Sequence, residues 1–129
     1  MKNFLRLMVL IIAFLIGSEV FGSSESPADW APITGNEFNM VAYGKVYLPG
    51  IDFSVGGYVL YSFGLQGERD CRSKSEIGSD GSYYATILGN EEGEIITFKL
   101  FDSNDGRVYE LQDVLVFQPD KTITDFEIR

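Results

Sequence analysis

Short runs of alternating apolar and polar residues, separated by turn residues, fill the chain after residue 36 and most constrain its fold. The clearest run is Ile95 to Phe101, in which every second residue is apolar. A period of two places successive side chains on opposite faces of a β-strand. Gly, Asn and Asp interrupt the runs about every 8 to 12 residues, a spacing typical of a sandwich or barrel. Helical apolar spacing is absent after residue 22, so we expect almost no helix.

These runs predict about seven strands. The predicted strands are Phe38 to Leu48, Tyr58 to Phe63, Tyr83 to Leu88, Ile95 to Phe101, Val108 to Leu111, Val114 to Phe117 and Ile123 to Ile128, with a less clearly marked short strand around Asp70 to Lys74. Short turns, such as the Asp-Gly turn that ends at Gly106, favour antiparallel pairing of consecutive strands. The sequence therefore predicts an all-β fold, a single antiparallel β-sandwich of immunoglobulin-like form.

The N-terminus carries the pattern of a secretory signal peptide. Lys2 and Arg6 precede an uninterrupted apolar run from Leu7 to Ile16. This run is about half the ~20 residues that a membrane-spanning helix needs, which favours cleavage. Small residues place the cleavage between Gly22 and Glu25. The alternative is an uncleaved helix that anchors the domain.

Three segments follow from these patterns. Residues 1–22 are the predicted signal peptide, residues 23–36 an extended leader and residues 37–129 the β-sandwich domain. The leader contains two prolines and little periodicity, and we expect it to lie against the domain with Trp30 as its anchor. The prediction is a protein that is secreted, periplasmic or on the cell surface, with no membrane span after signal cleavage.

Charge and composition exclude several functions. The chain has a formal net charge of −9, and the first 22 residues contain two basic residues and one acidic residue, so the remainder is still more acidic. A nucleic-acid partner is therefore not expected, because phosphates are bound by Lys and Arg. Histidine is absent from the chain, which removes the commonest general base and the commonest zinc ligand. We therefore expect no catalysis.

The order of residues along the domain resembles a small β-sandwich module that recurs in secreted and surface multidomain proteins of Bacteroidetes-like bacteria. The segments that carry the resemblance are Trp30, Phe38-Asn39-Met40, Tyr61-Ser62-Phe63, Glu68 to Arg72, Tyr83 to Asn90, Glu94 to Asp102 and Gly106 to Tyr109. The chain departs from the module at Gly56-Gly57-Tyr58 and at Thr124-Asp125. The resemblance implies a non-catalytic accessory or adhesive module.

Cys71 is the one cysteine of the chain, so it cannot form an internal disulfide. Arg69 and Arg72 flank it, and nearby arginines lower a thiol pKa when the thiol is exposed. One hypothesis is therefore an intermolecular disulfide, which an odd cysteine in an exported protein invites. The interpretation that we favour is a buried small apolar residue, since the resemblance places Cys71 within a strand.

Asp102, Asn104 and Asp105 lie in a segment that resembles a calcium loop. Oxygen ligands alternate there, and Gly106 permits a sharp turn. The glutamate expected at the twelfth place of an EF-hand loop is missing, because that position is Asp113. A plain hairpin turn explains the same residues, so no cofactor is predicted and calcium stays an alternative.

The aromatic residues suggest a carbohydrate-binding face as an alternative function. The ring-bearing residues considered for it are Tyr43, Tyr47, Tyr58, Tyr61, Tyr83, Tyr84, Tyr109 and Trp30. Trp30, Tyr83 and Tyr84 are the ligand-binding residues predicted for it. Tyr83 and Tyr84 are adjacent in one strand, so they point to opposite faces and at least one should be exposed. The competing interpretation is that these tyrosines belong to the core.

Three functional hypotheses result. The first is a non-catalytic binding or adhesion module with a protein or cell-surface partner, and the second is a carbohydrate-binding module that uses exposed tyrosines. The third is a structural subunit that assembles by strand addition. The third requires a free apolar terminal strand, and the two prolines between residues 24 and 36 disfavour one.

Overall fold

The fold is an eight-stranded β-sandwich in a computed structural model that describes residues 27–129. The predicted signal peptide and the first leader residues lie outside the described part of the chain. The strands are β1 (Phe38–Val46), β2 (Tyr58–Phe63), β3 (Cys71–Glu76), β4 (Tyr83–Gly89), β5 (Ile95–Asp102), β6 (Arg107–Glu110), β7 (Leu115–Val116) and β8 (Thr122–Ile128). Three short 3-10 helices, Pro27–Asp29, Phe53–Val55 and Gly67–Arg69, are the only helical segments within residues 27–129.

Two sheets pack face to face and confirm the predicted sandwich. The smaller sheet has the order β4-β1-β8, and the larger has the order β3-β2-β5-β6, with β7 also paired to β5. An immunoglobulin domain arranges its strands as A-B-E-D and C-F-G. The immunoglobulin-like description therefore holds for the two-layer architecture and not for the strand order.

The core lies between the inner faces of the two sheets. Alternation along β4 and β5 supplies much of it, since Tyr83, Ala85 and Ile87 are buried on β4 while Tyr84 and Thr86 are exposed. On β5, the buried residues are Ile96, Phe98, Leu100 and Asp102. Burial of large apolar side chains contributes about 1.5–3 kcal/mol each, so this alternation sets the faces of the sheets.

β2 is buried along its whole length, because both of its faces are covered. The inner face packs into the main core. The outer face carries Val59, Tyr61 and Phe63, which form a second buried cluster with Trp30 and Cys71. The leader therefore covers the outer face of the larger sheet at its central strand.

β1 and β8 pair in parallel, which corrects the expectation that neighbouring strands are all antiparallel. The two strands are far apart in sequence, so no short turn constrains their direction. Their register shifts between Ala42 and Gly44, and Asp125 on β8 has a φ of 56°. Such a bulge twists an edge strand and disfavours pairing with another chain.

β3 is a complete strand, although the sequence marks it only as a short possibility. Its sequence is polar, yet Arg72, Ser73 and Ser75 are buried. The Oγ atoms of Ser62 and Ser73 are 2.5 Å apart and hydrogen-bond to each other inside the protein. Small hydroxyl residues thus replace the apolar residues from which a strand is normally recognised.

Candidate functional site

Trp30 anchors the leader to the outer face of the larger sheet, the role expected of it in the leader. Its side chain is 3% exposed and meets the rings of Tyr61 and Phe63 edge to face, with centroids 5.0 and 5.1 Å away. The indole Nε1 donates a hydrogen bond of 3.2 Å to Glu68 Oε1. Lys99 Nζ lies 5.7 Å from the centre of the Trp30 ring and 3.0 Å from Glu68 Oε2. Trp30 therefore does not offer a ring to a ligand, which corrects its prediction as a binding residue.

Tyr83 is likewise a core residue and not a binding residue. It is 2% exposed, and its hydroxyl donates a hydrogen bond of 2.8 Å to the Tyr58 carbonyl oxygen. Burial raises the pKa of its phenol. This bond connects β4 in one sheet with β2 in the other, so Tyr83 stabilises the packing of the two sheets.

Tyr84 is exposed on the outer face of the smaller sheet, at 61% of its maximal area. Its cross-strand neighbour on β1 is Tyr43, and the two ring planes meet at 67°. The Tyr43 hydroxyl donates a hydrogen bond to Asp80. The pair is edge to face, so Tyr43 and Tyr84 do not form the coplanar platform on which a sugar ring stacks.

Cys71 is buried beneath the leader. It is 1% exposed, and its backbone carbonyl accepts a hydrogen bond of 3.1 Å from the Ile33 N–H. Burial raises the pKa of its thiol to about 11, so the thiol stays protonated near neutral pH. Because the thiolate is the reactive form, an intermolecular disulfide cannot form at Cys71 while the leader is in place.

We expect Trp30→Ala to expose this thiol. Removing the indole deletes the contacts with Tyr61 and Phe63, so the leader opens more often. Each 1.4 kcal/mol lost from its docking makes the open state about tenfold more populated. Labelling of Cys71 by a thiol reagent under native conditions should accelerate by at least about tenfold. Tyr84→Ala, which removes an exposed ring elsewhere, should leave the rate unchanged, and equal rates in all three proteins would contradict the burial mechanism.

The segment from Asp102 to Gly106 is a hairpin turn whose polar side chains bind the protein itself. Asp102 Oδ1 accepts a hydrogen bond from the Asn104 N–H at 2.8 Å, and Asp105 Oδ1 accepts one from the Arg107 N–H at 2.9 Å. Asn104 Nδ2 donates to the Gly56 carbonyl oxygen at 2.9 Å. Within residues 27–129, no group of three His, Cys, Asp or Glu is placed to hold a metal. Asp102 Oδ1, Asp105 Oδ1 and Asn104 Nδ2 are thus used within the protein, and the calcium hypothesis for Asp102, Asn104 and Asp105 gains no support from this turn.

The bonds from this turn position the long connection between β1 and β2. Ser103 Oγ donates to the Gly57 carbonyl oxygen at 2.8 Å, next to the Asn104 bond to Gly56. Asp52 caps the 3-10 helix Phe53–Val55 by accepting from the Ser54 N–H and hydroxyl at 3.0 and 2.6 Å. The Phe53 ring packs on Tyr58 with centroids 5.3 Å apart. The connection between β1 and β2 is therefore fixed both at its 3-10 helix and at Gly56-Gly57, where it enters β2.

This connection forms one wall of an open groove of about 710 Å³ at the end of the sandwich. We call it the end groove. Its apolar lining consists of Val46, Tyr47, Leu48, Pro49, Ile51 and Phe53, and its other lining residues are Lys45, Gly81, Glu110, Gln112 and Arg129. Its volume lies within the roughly 300–1,000 Å³ typical of ligand pockets.

The rim of the end groove is built by Arg129. The guanidinium carbon lies 5.2 Å from the centre of the Tyr47 ring, a cation–π contact. The backbone N–H of Arg129 donates a hydrogen bond of 2.8 Å to Asp113 Oδ2. The backbone carbonyl oxygen of Arg129 accepts hydrogen bonds from the backbone N–H groups of Gln112 and Asp113 at 2.6 and 3.0 Å. Tyr and Arg are enriched among residues that dominate binding energy at interfaces. The arrangement combines an apolar floor with charged groups that can orient a ligand.

Sequence reasoning missed the end groove. The first predicted strand ends at Leu48, and the sequence patterns assign no role to Ile51 and Phe53, which line the groove. The available signal was the apolar content of a segment bounded by Pro and Gly, because loops are normally polar. The opposite side of the groove is formed by Glu110, Gln112 and Arg129. These residues are far in sequence from Ile51 and Phe53, and their sequence contains no comparable signal.

Comparisons with known proteins do not identify the chain. No family model matches it, and neither the curated proteins nor the solved structures contain a significant match. The resemblance to a bacterial surface module therefore stays a prediction. Within residues 27–129, no helix is long and apolar enough to cross a membrane.

Proposed function

We propose that this protein is an exported, non-catalytic binding module that recognises a protein or cell-surface partner through the end groove. The observation that carries this proposal is the groove itself, an open apolar cavity with an Arg–Tyr pair at its rim. Pockets of this size and composition are the usual sites of ligand recognition. The signal-peptide pattern supports export, and the absence of histidine from the chain supports a role without catalysis.

Leu48, Ile51 and Phe53 give the proposal its energetic basis. All three are only partly buried and pack against the core, so they retain apolar surface towards the groove. Covering apolar surface contributes about 25 cal/mol per Å², which a partner that fills the groove would gain. Their backbone is held by the Asp52 cap and by Asn104, so little ordering is required on binding.

The test is retention of a partner by the wild-type protein and by Ile51→Asp. A charge on the groove floor should reduce retention of material from the native envelope or culture fluid by at least about tenfold, since a buried unpaired charge costs more than 1.4 kcal/mol. Leu65→Asp is the matched control. Leu65 is 84% exposed and lies in the connection between β2 and β3, at the opposite end of the sandwich. Equal retention by both variants, with thermal unfolding unchanged, would exclude the end groove as the binding site.

A carbohydrate partner is a second candidate, and a neighbouring cavity favours it. This cavity of about 240 Å³ is lined by Tyr43, Tyr47, Asp125 and Glu127 among others, so rings and carboxylates face one space. Apolar sugar faces pack on rings, and hydroxyls donate to carboxylates. A glycan array should then give a signal that Tyr47→Ala removes and Tyr109→Ala retains, and an array without any signal would exclude this candidate.

A further inference from the structure

We propose that the leader is exchanged between two copies of this chain, so that Trp30 of one copy packs into the corresponding site on the other copy. We call this place the leader site and define it by Tyr61, Phe63, Glu68 and Lys99, the residues that surround the indole. The leader site lies on the outer face of the larger sheet. The inference therefore goes beyond the end groove and does not depend on it.

The leader site is complementary to an indole. The Trp30 ring meets the rings of Tyr61 and Phe63 edge to face. The indole N–H donates a hydrogen bond of 3.2 Å to Glu68 Oε1. Lys99 Nζ lies 5.7 Å from the centre of the indole ring and 3.0 Å from Glu68 Oε2, so it places a cation over the ring and holds the acceptor. The structure thus shows one segment that fits the site, the leader itself, and a second copy of the chain carries the same segment.

The leader is attached to the larger sheet mainly through this one side chain. Within residues 27–129, a bond of 3.1 Å from the Ile33 N–H to the Cys71 carbonyl oxygen is the single backbone–backbone hydrogen bond between the leader and a strand. The Tyr61 hydroxyl adds a bond of 3.5 Å to the Pro27 carbonyl oxygen. Neighbouring strands are instead joined by whole ladders, as β2 and β5 are. The leader therefore leaves its site without breaking either sheet.

A short hinge connects the leader to β1. The chain is fixed on both sides of this hinge, by the backbone bond of Ile33 and by the Glu37 N–H, which donates to Asn90 Oδ1 at 3.0 Å. Gly35 lies between these points with a φ of 98°, a conformation that favours glycine. A change of backbone conformation at Gly35 redirects the leader away from its own sheet. Residues 27–36 extend over roughly 33–36 Å, whereas the radius of gyration of a domain of this size is about 13 Å, so the leader reaches a neighbouring copy.

Exchange preserves the contacts of Trp30 while it joins two copies. An exchanged dimer contains the same contacts at the leader site as two monomers, and it differ from them only at the hinges and in the freedom of the two copies to move apart. The chain has a formal net charge of −9, so direct contact between two domains is opposed by repulsion. Asp29 is the one charged residue between positions 27 and 36, so an exchanged leader brings little charge to its partner.

The first experiment adds a synthetic peptide of residues 27–36 to the full-length Trp30→Ala protein. Trp30 is the only tryptophan of the chain, so the fluorescence of the variant reports the peptide alone. We expect a saturable blue shift of the peptide fluorescence as its indole becomes buried. Peptide at about nine times its Kd should also slow the labelling of Cys71 by a thiol reagent about tenfold, because only the vacant fraction reacts.

Two controls accompany the peptide titration. The same peptide with alanine in place of tryptophan should neither bind nor protect Cys71. The wild-type protein should bind the tryptophan peptide at least about tenfold more weakly than Trp30→Ala does, because its own leader occupies the site. Absence of a saturable shift, or equal protection by both peptides, would show that the leader site does not accept this segment from outside and would overturn the inference.

The second experiment measures the dimer by sedimentation velocity after unfolding in urea and refolding at high protein concentration. We expect the wild-type protein to form a dimer and Trp30→Ala to remain a monomer. Gly35→Ala should raise the association constant at least about tenfold, since alanine is strained at this φ and exchange relieves both hinges. Gly50→Ala is the matched control, because Gly50 also has a positive φ, 81°, with no atom within 4 Å of an added Cβ. It should leave association unchanged.

The outcomes of the second experiment decide whether the partner is a second copy. If the peptide binds but the wild-type and Gly35→Ala proteins both stay monomeric, the leader site binds a segment of another protein and exchange is excluded. A dimer that Trp30→Ala still forms would place the association on a different surface. Ile51→Asp should form the dimer as the wild-type protein does, which separates this inference from the proposed role of the end groove.

Discussion

Gly44→Ala is expected to lower the free energy of unfolding by more than about 3 kcal/mol. Gly44 lies where the register between β1 and β8 shifts, and a Cβ atom there would overlap the carbonyl oxygen of Phe126. The obstacle is backbone, so a side-chain rotation cannot relieve it. β8 would have to move away from β1, which would disrupt the parallel pairing and the packing of Ile128 in the core. Urea unfolding of the two proteins measures the difference.

Gly78→Ala is the matched control for this prediction. Gly78 lies in the connection between β3 and β4, and the nearest atom to an added Cβ is a side-chain oxygen of Asp80, 3.2 Å away. The carbonyl oxygen of Ser82 lies 3.3 Å away, so both neighbours need to shift by only a few tenths of an ångström and the cost should stay below about 1 kcal/mol. A Gly44→Ala protein as stable as Gly78→Ala would show that β8 does not approach β1 this closely.

Arg72→Met is expected to cost about 3–5 kcal/mol of unfolding free energy, because it leaves buried carboxylates without their cation. Arg72 is 5% exposed, and its Nε lies 2.7 Å from Asp70 Oδ1. Its Nη2 lies 2.7 Å from Glu94 Oε2, and its Nη1 donates a hydrogen bond of 3.1 Å to the Leu88 carbonyl oxygen. One guanidinium thus connects β3 with the hairpin between β4 and β5, across the two sheets.

Arg107→Met provides the comparison, since it is the same substitution at an exposed ion pair. The Arg107 side chain is 73% exposed, and its Nε lies 3.7 Å from Asp105 Oδ2. Exposed pairs contribute between about 0 and 1 kcal/mol. If chemical unfolding gave the two variants similar costs, the network around Arg72 would not be an important source of stability.

The same network should make stability depend on pH in a defined range. The hydrogen bond from Arg72 holds the pKa of Glu94 at about 2, below its usual value of 4.5. A lowered pKa stabilises the folded protein above pH 4.5, and this contribution disappears as the pH falls towards 2. It amounts to at most about 3 kcal/mol. Arg72→Met should abolish most of this acid dependence, whereas Arg107→Met should retain it.

Several parts of the fold could be predicted from the sequence alone. β2 runs from Tyr58 to Phe63 as the apolar run predicts, and the alternation in β5 places Ile96, Phe98 and Leu100 in the core. β1 ends at Val46 and not at Leu48, because the chain leaves the sheet there to form the groove wall. Such local patterns suffice because side-chain direction along a strand follows from backbone geometry.

The candidate site could not be predicted in the same way. Trp30 and Tyr83 are aromatic and polar enough to bind a ligand, and only packing shows that both are enclosed. Burial depends on what covers a residue, and the covering residues are distant in sequence. The sequence of β3 is polar, so β3 can be recognised as a strand only from its pairing with β2 and from the ion pairs of Arg72.

The sequence by itself determined the all-β class, most strand positions and the absence of histidine chemistry, because period, turn residues and composition are local properties. Only the tertiary structure decided the parallel pairing of β1 with β8, the burial of Cys71 beneath Trp30 and the end groove. Each of these brings together segments that are far apart along the chain. No local sequence pattern predicts a contact between such distant segments, because the contact depends on how the two sheets pack and on which loops cover their ends.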